Sequence, residues 1–214
     1  MSRFLPLFPL NIVVFPGEKL NLHIFEPRYR QLILECQAND TTFGIPVYLD
    51  KGVGDYGTEI KLLSVEKKYP GGEMDIKTKG LGIFKIKEFQ RQVPGRLYSG
   101  GEIEDVPLIN DEQPLQRSQI LELLRQMYVA LGIQSLMLNL PENFRSFDVA
   151  HHLGFSTEQE YALLQCFRES DRLEIILDHL TKIIPIVLET ERLKERVKLN
   201  GHFKHLAPPT FRLL

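Results

Sequence analysis

The apolar residues of this chain change their spacing near Pro114, and that change limits what the chain can fold into. Ahead of it, six short segments, at 20–25, 43–47, 59–66, 74–79, 84–89 and 98–105, are rich in β-branched or aromatic residues and often alternate in polarity. Alternation with a period of two puts apolar side chains on one face of a strand, so these are six expected strands, and their spacing points to a small barrel. Tyr69-Pro70-Gly71-Gly72 is the expected turn between two of them, because proline presets its own φ and glycine accepts a positive one. One helix interrupts the strands. Pro27 suits a first helical position, where its missing N–H has no partner to lose, and Tyr29, Leu32, Ile33 and Cys36 then share a face. This helix is expected to plug or cover the barrel.

Beyond Pro114 the period is helical. Leu121, Leu124, Tyr128 and Leu131 form one stripe; Phe147, Ala150 and Leu153 form a shorter one that ends at Gly154, a favourable residue just past a helix. Thr157 and Glu160 have capping-box spacing for the next helix. The last helix is expected to start near Asp171 and to carry Leu173, Ile176, Leu177, Leu180, Ile183, Ile184 and Val187, with a kink at Pro185 and a stop at Asn200-Gly201. The fold class that follows is α+β: a small β-barrel with one covering helix over residues 1–110, a helical bundle over 111–200 and a flexible tail over 201–214. The boundary falls where Pro107, Asn110, Asp111 and Pro114 cluster.

Composition narrows the function classes. The 214 residues carry 26 basic and 28 acidic side chains with 43% hydrophobic residues, which is an ordinary globular balance. No run of about 18 apolar residues is present to span a bilayer. Pro6, Pro9, Asn11 and Pro16 interrupt the apolar start, so no signal peptide is expected and the cytoplasm is the expected compartment. Cys36 and Cys166, far apart among apolar residues, are expected as buried free thiols. Residues 1–107 hold 14 basic and 14 acidic side chains, residues 111–191 hold 6 and 13, and residues 192–214 hold 6 and 1. The acidic middle argues against a broad nucleic-acid footprint over the second half.

The motifs of common chemistries are missing. There is no G-x-x-x-x-G-K-[ST] phosphate loop, no C-x-x-C or H-E-x-x-H metal spacing, and no G-x-S-x-G or S-x-x-K nucleophile motif. No catalytic residue, cofactor or metal is therefore expected. His151 and His152 are adjacent, so on a helix their side chains diverge by about 100° and do not readily share one ion. Glu102 and Glu104 fall on one strand face and read as surface acids. Between residues 61 and 91, Lys61, Lys67, Lys68, Lys77, Lys79, Lys85, Lys87 and Arg91 outnumber the acids by 8 to 4. Such a stripe suits RNA phosphates, with Tyr69 or Phe84 for stacking, while lysines on exposed strands also protect sheet edges from pairing.

Three motifs narrow the reading further. Leu5-Pro6-Leu7-Phe8-Pro9-Leu10, Val13-Val14-Phe15-Pro16-Gly17 and Phe25-Glu26-Pro27-Arg28-Tyr29-Arg30 follow one another in an order and spacing that closely resemble the start of the Lon protease N-terminal substrate-binding domain. The likeness continues through Phe43-Gly44-Ile45, Gly57-Thr58 and the segment from Ile76 to Gly80, and more weakly through the helical half, covering about residues 3–199. The chain departs from the family at Leu81-Gly82-Ile83-Phe84, where the family often carries an arginine-rich stretch.

The resemblance implies a PUA-like barrel followed by a helical bundle, and a non-enzymatic module that binds unfolded or exposed apolar polypeptide segments. The implied partner is an unfolded polypeptide or a protein partner such as a protease, with no membrane involved. Lon proteases continue into ATPase and protease modules for which 214 residues leave no space, so neither ATP hydrolysis nor proteolysis is expected. Phe15, Leu22, Phe25 and Tyr29 are the candidate groove residues, with barrel core as the plainer reading of all four. Glu26 and Arg28 are the candidate charged rim, unless they serve the helix start and a local ion pair. RNA binding by a PUA-like barrel is the alternative function.

Overall fold

The computed structural model describes residues 2–111, 114–135, 140 and 143–202. The chain divides into two compact units, one drawn from residues 1–113 and 143–173, the other from residues 114–142 and 174–214. The first unit is built on a six-stranded sheet of β1 (Ser2–Leu7), β2 (Lys19–Ile24), β3 (Phe43–Leu49), β4 (Gly52–Lys68), β5 (Met74–Gln90) and β6 (Ser99–Val106), with helix α1 (Pro27–Asn39) between β2 and β3. The strand order is β2-β5-β4-β3-β1-β6, and β5 also pairs with β6, so the ladder returns to one of its own members.

Two expected strands, 74–79 and 84–89, are one strand of 17 residues. Gly80-Leu81-Gly82 between them looks like a turn, but Gly80 is a close-approach position. A Cβ there would collide with the carbonyl oxygen of Phe15, while Gly80 donates to the Glu18 carbonyl at 2.9 Å and accepts from the Gly17 N–H at 2.9 Å. The true turn is Tyr69-Pro70-Gly71-Gly72, where Gly72 takes φ +89°. Strand β1, which contains Pro6, is absent from the sequence expectation. It pairs with β6 along its whole length and with β3 only at Leu7 opposite Gly44, so most of its other edge carries no ladder, and proline is tolerated there.

Helix α1 buries the expected face. Tyr29, Leu32, Ile33 and Cys36 join Phe8, Val14, Ile24, Phe43, Ile45, Ile60, Met74, Ile76 and Tyr98 in one apolar cluster. The edge of the helix is tied by Glu35, which accepts from the Tyr98 hydroxyl at 2.6 Å and pairs with Arg96 at 3.1 Å. Both cysteines are free, Cys36 buried and Cys166 half-buried.

The helical segment 143–173 groups with the sheet unit, which departs from the expected division at residue 110. It holds α3 (Ser146–Val149), a 3-10 turn at Ala150–His152, α4 (Thr157–Leu164) and the first residues of α5 (Glu169–His202). Aromatic and polar contacts bind it there. Phe147 stacks on Phe15 at 5.0 Å, and the Tyr161 hydroxyl accepts from the Tyr56 N–H at 3.0 Å. The expected linker is itself pinned. Ile109 exchanges backbone hydrogen bonds with Phe167 and Glu169 at 2.8 and 2.9 Å, and the Asp111 carboxylate accepts from the N–H and hydroxyl of Ser170 at the start of α5. Those bonds, the backbone one first, hold the Asp111 carboxyl down at a pKa of about 2. Gly154 takes φ +72°, as a residue past a helix should, and the cap of α4 lies one residue earlier than expected, at Ser156 with Gln159.

A buried ion pair stands at the root of α5. Arg172 is 1% exposed and donates to Glu169 at 2.7 Å, to the Ser146 hydroxyl at 2.8 Å and to the Cys166 carbonyl at 2.5 Å, while its guanidinium lies 4.3 Å from the Phe147 ring centroid. Glu169 also accepts the N–H and hydroxyl of Ser146, each at 2.8 Å. Nearer the sheet, His151 bridges Glu18 at 3.1 Å and Glu160 at 2.8 Å, and these bonds, Glu18 foremost, raise its pKa to about 9.

The second unit contains α2 (Pro114–Leu131) and the body of α5. The buried side of α2 is Ile120, Leu124, Met127 and Tyr128, rotated from the expected stripe, and Leu131 is exposed. On α5, Ile176, Leu180 and Ile184 are buried. Pro185 lies within the helix without ending it, and α5 runs past Asn200-Gly201 to His202, so the expected stop is not there. The rest of the expected tail, 203–214, lies outside the described residues. No described helix is long and apolar enough to cross a membrane.

Two predictions follow from these contacts. Arg172→Met strands the Glu169 carboxylate in the interior and is expected to destabilise the protein by about 3–5 kcal/mol in urea denaturation; Arg172→Met combined with Glu169→Gln regains part of the loss, because no charge is left unpaired. The second concerns pH. The folded pKa of His151 stands above the ordinary 6.5, so its contribution is complete below about 6.5 and disappears as pH rises through about 9. The melting temperature of the wild type is therefore expected to fall toward that of His151→Gln across this range; an unchanged gap between the two would refute the charged bridge.

Candidate functional site

The segment Phe25-Glu26-Pro27-Arg28-Tyr29-Arg30 turns the chain from β2 into α1. Glu26 occupies the N-cap position in extended geometry and makes no side-chain cap bond. Its carboxylate is taken instead by Arg28, at 2.9 Å from Nε. The Arg28 guanidinium lies 4.5 Å from the Tyr29 ring centroid, and Tyr29, only 6% exposed, stacks on Phe8 with ring centroids 3.7 Å apart. Burial pushes the Tyr29 phenol up from its ordinary pKa. The helix start therefore presents a cation backed by an immobilised aromatic ring.

Arg28 and Tyr29 line a cleft of about 770 Å³ within the first unit. Its second wall is the Pro9–Leu10–Asn11 segment, held to β3 because Leu10 donates to the Pro46 carbonyl at 3.2 Å and accepts from the Tyr48 N–H at 2.7 Å. Its third is the β3–β4 hairpin, with Tyr48 on β3, Lys51 in the turn and Asp55 on β4, and its fourth is the end of β5 and the residue after it, with Ile86, Phe89 and Arg91. The β4 wall is backed by α4: a Cβ on Gly54 would lie 2.6 Å from the Tyr161 hydroxyl, so the residue there must be small. Ser99 also lines the cleft, but its hydroxyl is committed to the Leu7 carbonyl at 2.9 Å. The lining thus combines apolar and aromatic surface from Leu10, Tyr29, Tyr48, Ile86 and Phe89 with three cations and one carboxylate. Such a surface holds a ligand by apolar contact and by charge.

The six residues expected from the sequence fall in three places. Arg28 and Tyr29 are on the cleft, and Glu26 holds Arg28. Phe15 is 1% exposed and enclosed by Phe147 and His151, so it belongs to the interior rather than to a groove. Leu22 is half-buried against the core and borders a separate shallow hollow with His23, Glu66, Asp75 and Lys77. Phe25, 61% exposed, lies beside that hollow with its ring 6.2 Å from His23. His23 and the Tyr69 hydroxyl both reach Asp75, at 2.6 and 2.7 Å, and hold its carboxyl below the usual range.

Leu10, Tyr48, Lys51, Phe89 and Arg91 were not among the expected site residues. They come from separate stretches of chain, and only the strand pairing brings them together. Tyr48, an aromatic ring 49% exposed at a strand end, is the one whose sequence carries a usable signal. Among the basic stripe between residues 61 and 91, Lys77 pairs with Glu66 and Lys87 with Glu104, while Lys67 and Lys85 lie over Tyr69 and Tyr56. Half of that stripe is therefore engaged within the protein, and nothing in its geometry favours RNA. Among the described residues no group of three or more metal-ligating side chains comes together.

Comparisons with known proteins agree with one another. The chain is 25% identical to the Lon protease of Heliobacterium modesticaldum, over 91% of its own length but only 26% of that protease. A Lon N-terminal domain protein from Xanthomonas campestris superposes with a TM-score of 0.65 at 25% identity, covering 82% of this chain and 98% of that one. The N-terminal domain of a Lon protease from the Mycobacterium avium complex shares the fold at 17% identity, with a TM-score of 0.65 over 84% of this chain and 98% of that one. The family model of the ATP-dependent protease La (LON) substrate-binding domain matches residues 4–182, a stretch that contains every wall of the cleft, and the chain belongs to that family.

Proposed function

We propose that this chain is a non-enzymatic polypeptide-binding module whose first unit takes unfolded or exposed apolar segments into the cleft beside α1. The observation that carries the reading is the cleft itself, an open concavity lined by apolar, aromatic and charged side chains in a member of a substrate-binding family. Binding of this kind gains from burying apolar side chains and asks little of the sequence bound. Tyr29 supplies a rigid floor because Phe8 fixes its ring, and Tyr48 supplies an exposed aromatic on the opposite side. The same reading takes the circuit β5-β4-β3-β1-β6 as a small barrel of the PUA-like kind covered by α1, places the protein in the cytoplasm, and makes a full-length protease a natural partner.

The reading is tested by fluorescence anisotropy with a labelled, permanently unfolded polypeptide and its folded counterpart. Preference for the unfolded form is expected to persist at about 0.5 M salt, since apolar contact is not screened. Tyr48→Ala is expected to weaken binding about tenfold with the melting temperature unchanged, whereas Phe25→Ala, outside the cleft, leaves binding intact. The reverse pattern would move the site to the hollow beside β2, and equal binding of folded and unfolded forms would remove the function.

A further inference from the structure

Several charged side chains around the sheet are paired. Arg3 contacts Glu59 and Asp105 at 2.6 and 2.7 Å, Arg96 contacts Glu35 and Lys77 contacts Glu66. The cleft carries charge of its own. Of its three cations, only Arg28 has an ion-pair partner within 4 Å among the described residues; Lys51 and Arg91 have none, although both are exposed at the rim. Against them stands one lining carboxylate, Asp55. The cations also come from three separate elements: the first turn of α1, the turn between β3 and β4, and the chain just past β5. Apolar and aromatic lining residues thus stand beside two cations, Lys51 and Arg91, that have no ion-pair partner within 4 Å among the described residues.

We propose that the cleft selects among polypeptides, taking apolar segments flanked by acidic side chains in preference to neutral or basic ones. The proposal rests on the cleft being the polypeptide site. Its physical content is charge complementarity: carboxylates on either side of a bound apolar residue meet Lys51 and Arg91, which have no ion-pair partner within 4 Å among the described residues. Each such pair is solvent-exposed and individually weak, so the floor provides the binding and the rim provides the discrimination. Side-chain carboxylates are the source that fits, because cations on three separate elements match charges spread along a segment. A single chain-terminal carboxylate is one point charge. A nucleic-acid strand fits less well, since Asp55 interrupts the positive lining and half of the neighbouring lysine stripe is already engaged.

The test uses the full chain and fluorescein-labelled peptides that share one apolar aromatic core and an amidated C-terminus, flanked on both sides by Glu, Gln or Lys. At low salt the Glu-flanked peptide is expected to bind about tenfold tighter than the Gln-flanked one, and the Lys-flanked peptide weakest. At about 0.5 M salt the ratio should approach one while binding of all three persists. The double variant Lys51→Glu with Arg91→Glu, at exposed positions that leave the melting temperature unchanged, is expected to reverse the order and favour the Lys-flanked peptide.

Equal affinity for Glu- and Gln-flanked peptides, or an order that the double variant does not change, would overturn the charge selection while leaving the apolar site standing. Absence of binding by all three would overturn both. A Gln-flanked peptide with a free C-terminal carboxylate that matches the Glu-flanked one would assign the charge to a chain end and so overturn the side-chain source. Tighter binding of a single-stranded RNA oligonucleotide than of the Glu-flanked peptide would overturn the polypeptide preference.

Discussion

Arg172, buried with its charge at the base of α5, is the constraint on which the helical part of the first unit depends. A guanidinium taken out of water is tolerable only when a carboxylate and further acceptors surround it, and here Glu169, the Ser146 hydroxyl and the Cys166 carbonyl all do so. Each partner comes from a different piece of chain. Meeting the needs of one charge therefore fixes the start of α5 against the start of α3 and against the chain leaving α4. Phe147, beneath the guanidinium, is held where it stacks on Phe15, and the helical segment is thereby attached to the sheet. An apolar core at this position would pack as well but would not specify the same joint, because apolar contact has no direction and these hydrogen bonds do.

The influence of that joint reaches the cleft through α4. With the segment anchored, Tyr161 is placed behind β4, where its hydroxyl accepts the Tyr56 N–H and meets the chain at Gly54. Gly54 is part of the cleft wall, so the shape of the wall depends on a ring supplied from more than 100 residues along the chain. His151 contributes a second tie, between the loop before β2 and α4, that is electrostatic and half-exposed. The two ties differ in kind. The arginine pair is sealed from solvent, whereas the histidine bridge is partly exposed and fails on the alkaline side.

Local rules reached far into the fold where the signal was local. The face of α1, the Tyr69–Gly72 turn, the positive φ of Gly154 and most strand cores could be read from spacing alone, because each depends on residues a few positions apart. The failures are equally specific. Gly80 resembles a turn but marks a backbone contact with Phe15, and no local pattern separates those two uses of glycine. Pro6 argues against a strand unless one knows that it lies along an edge left largely without a ladder. Phe15 is a candidate groove residue through the resemblance, with core as its plainer reading; Phe147, 132 positions later, and His151 are among the rings that enclose it. Arg28 and Tyr29 were recoverable because their motif is contiguous, while Tyr48, Phe89 and Arg91 became neighbours only through strand pairing.

Charge was the property least visible in sequence. The sheet-forming half carries equal numbers of acids and bases, which suggests a surface with no electrical preference, and the lysine stripe between residues 61 and 91 is its most prominent local excess. Folding reorders both impressions. Lys77 and Lys87 pair with Glu66 and Glu104, and Arg3 with Glu59 and Asp105, so part of the most basic stretch of sequence is already engaged. Lys51, outside that stripe, and Arg91, at its end, stand at the rim of one cleft without an ion-pair partner within 4 Å among the described residues. Pairing decides which charges a ligand meets, and pairing across a sheet is set by register. A neutral count along the chain is therefore compatible with a cleft whose lining cations outnumber its carboxylates, and that imbalance is a consequence of the fold.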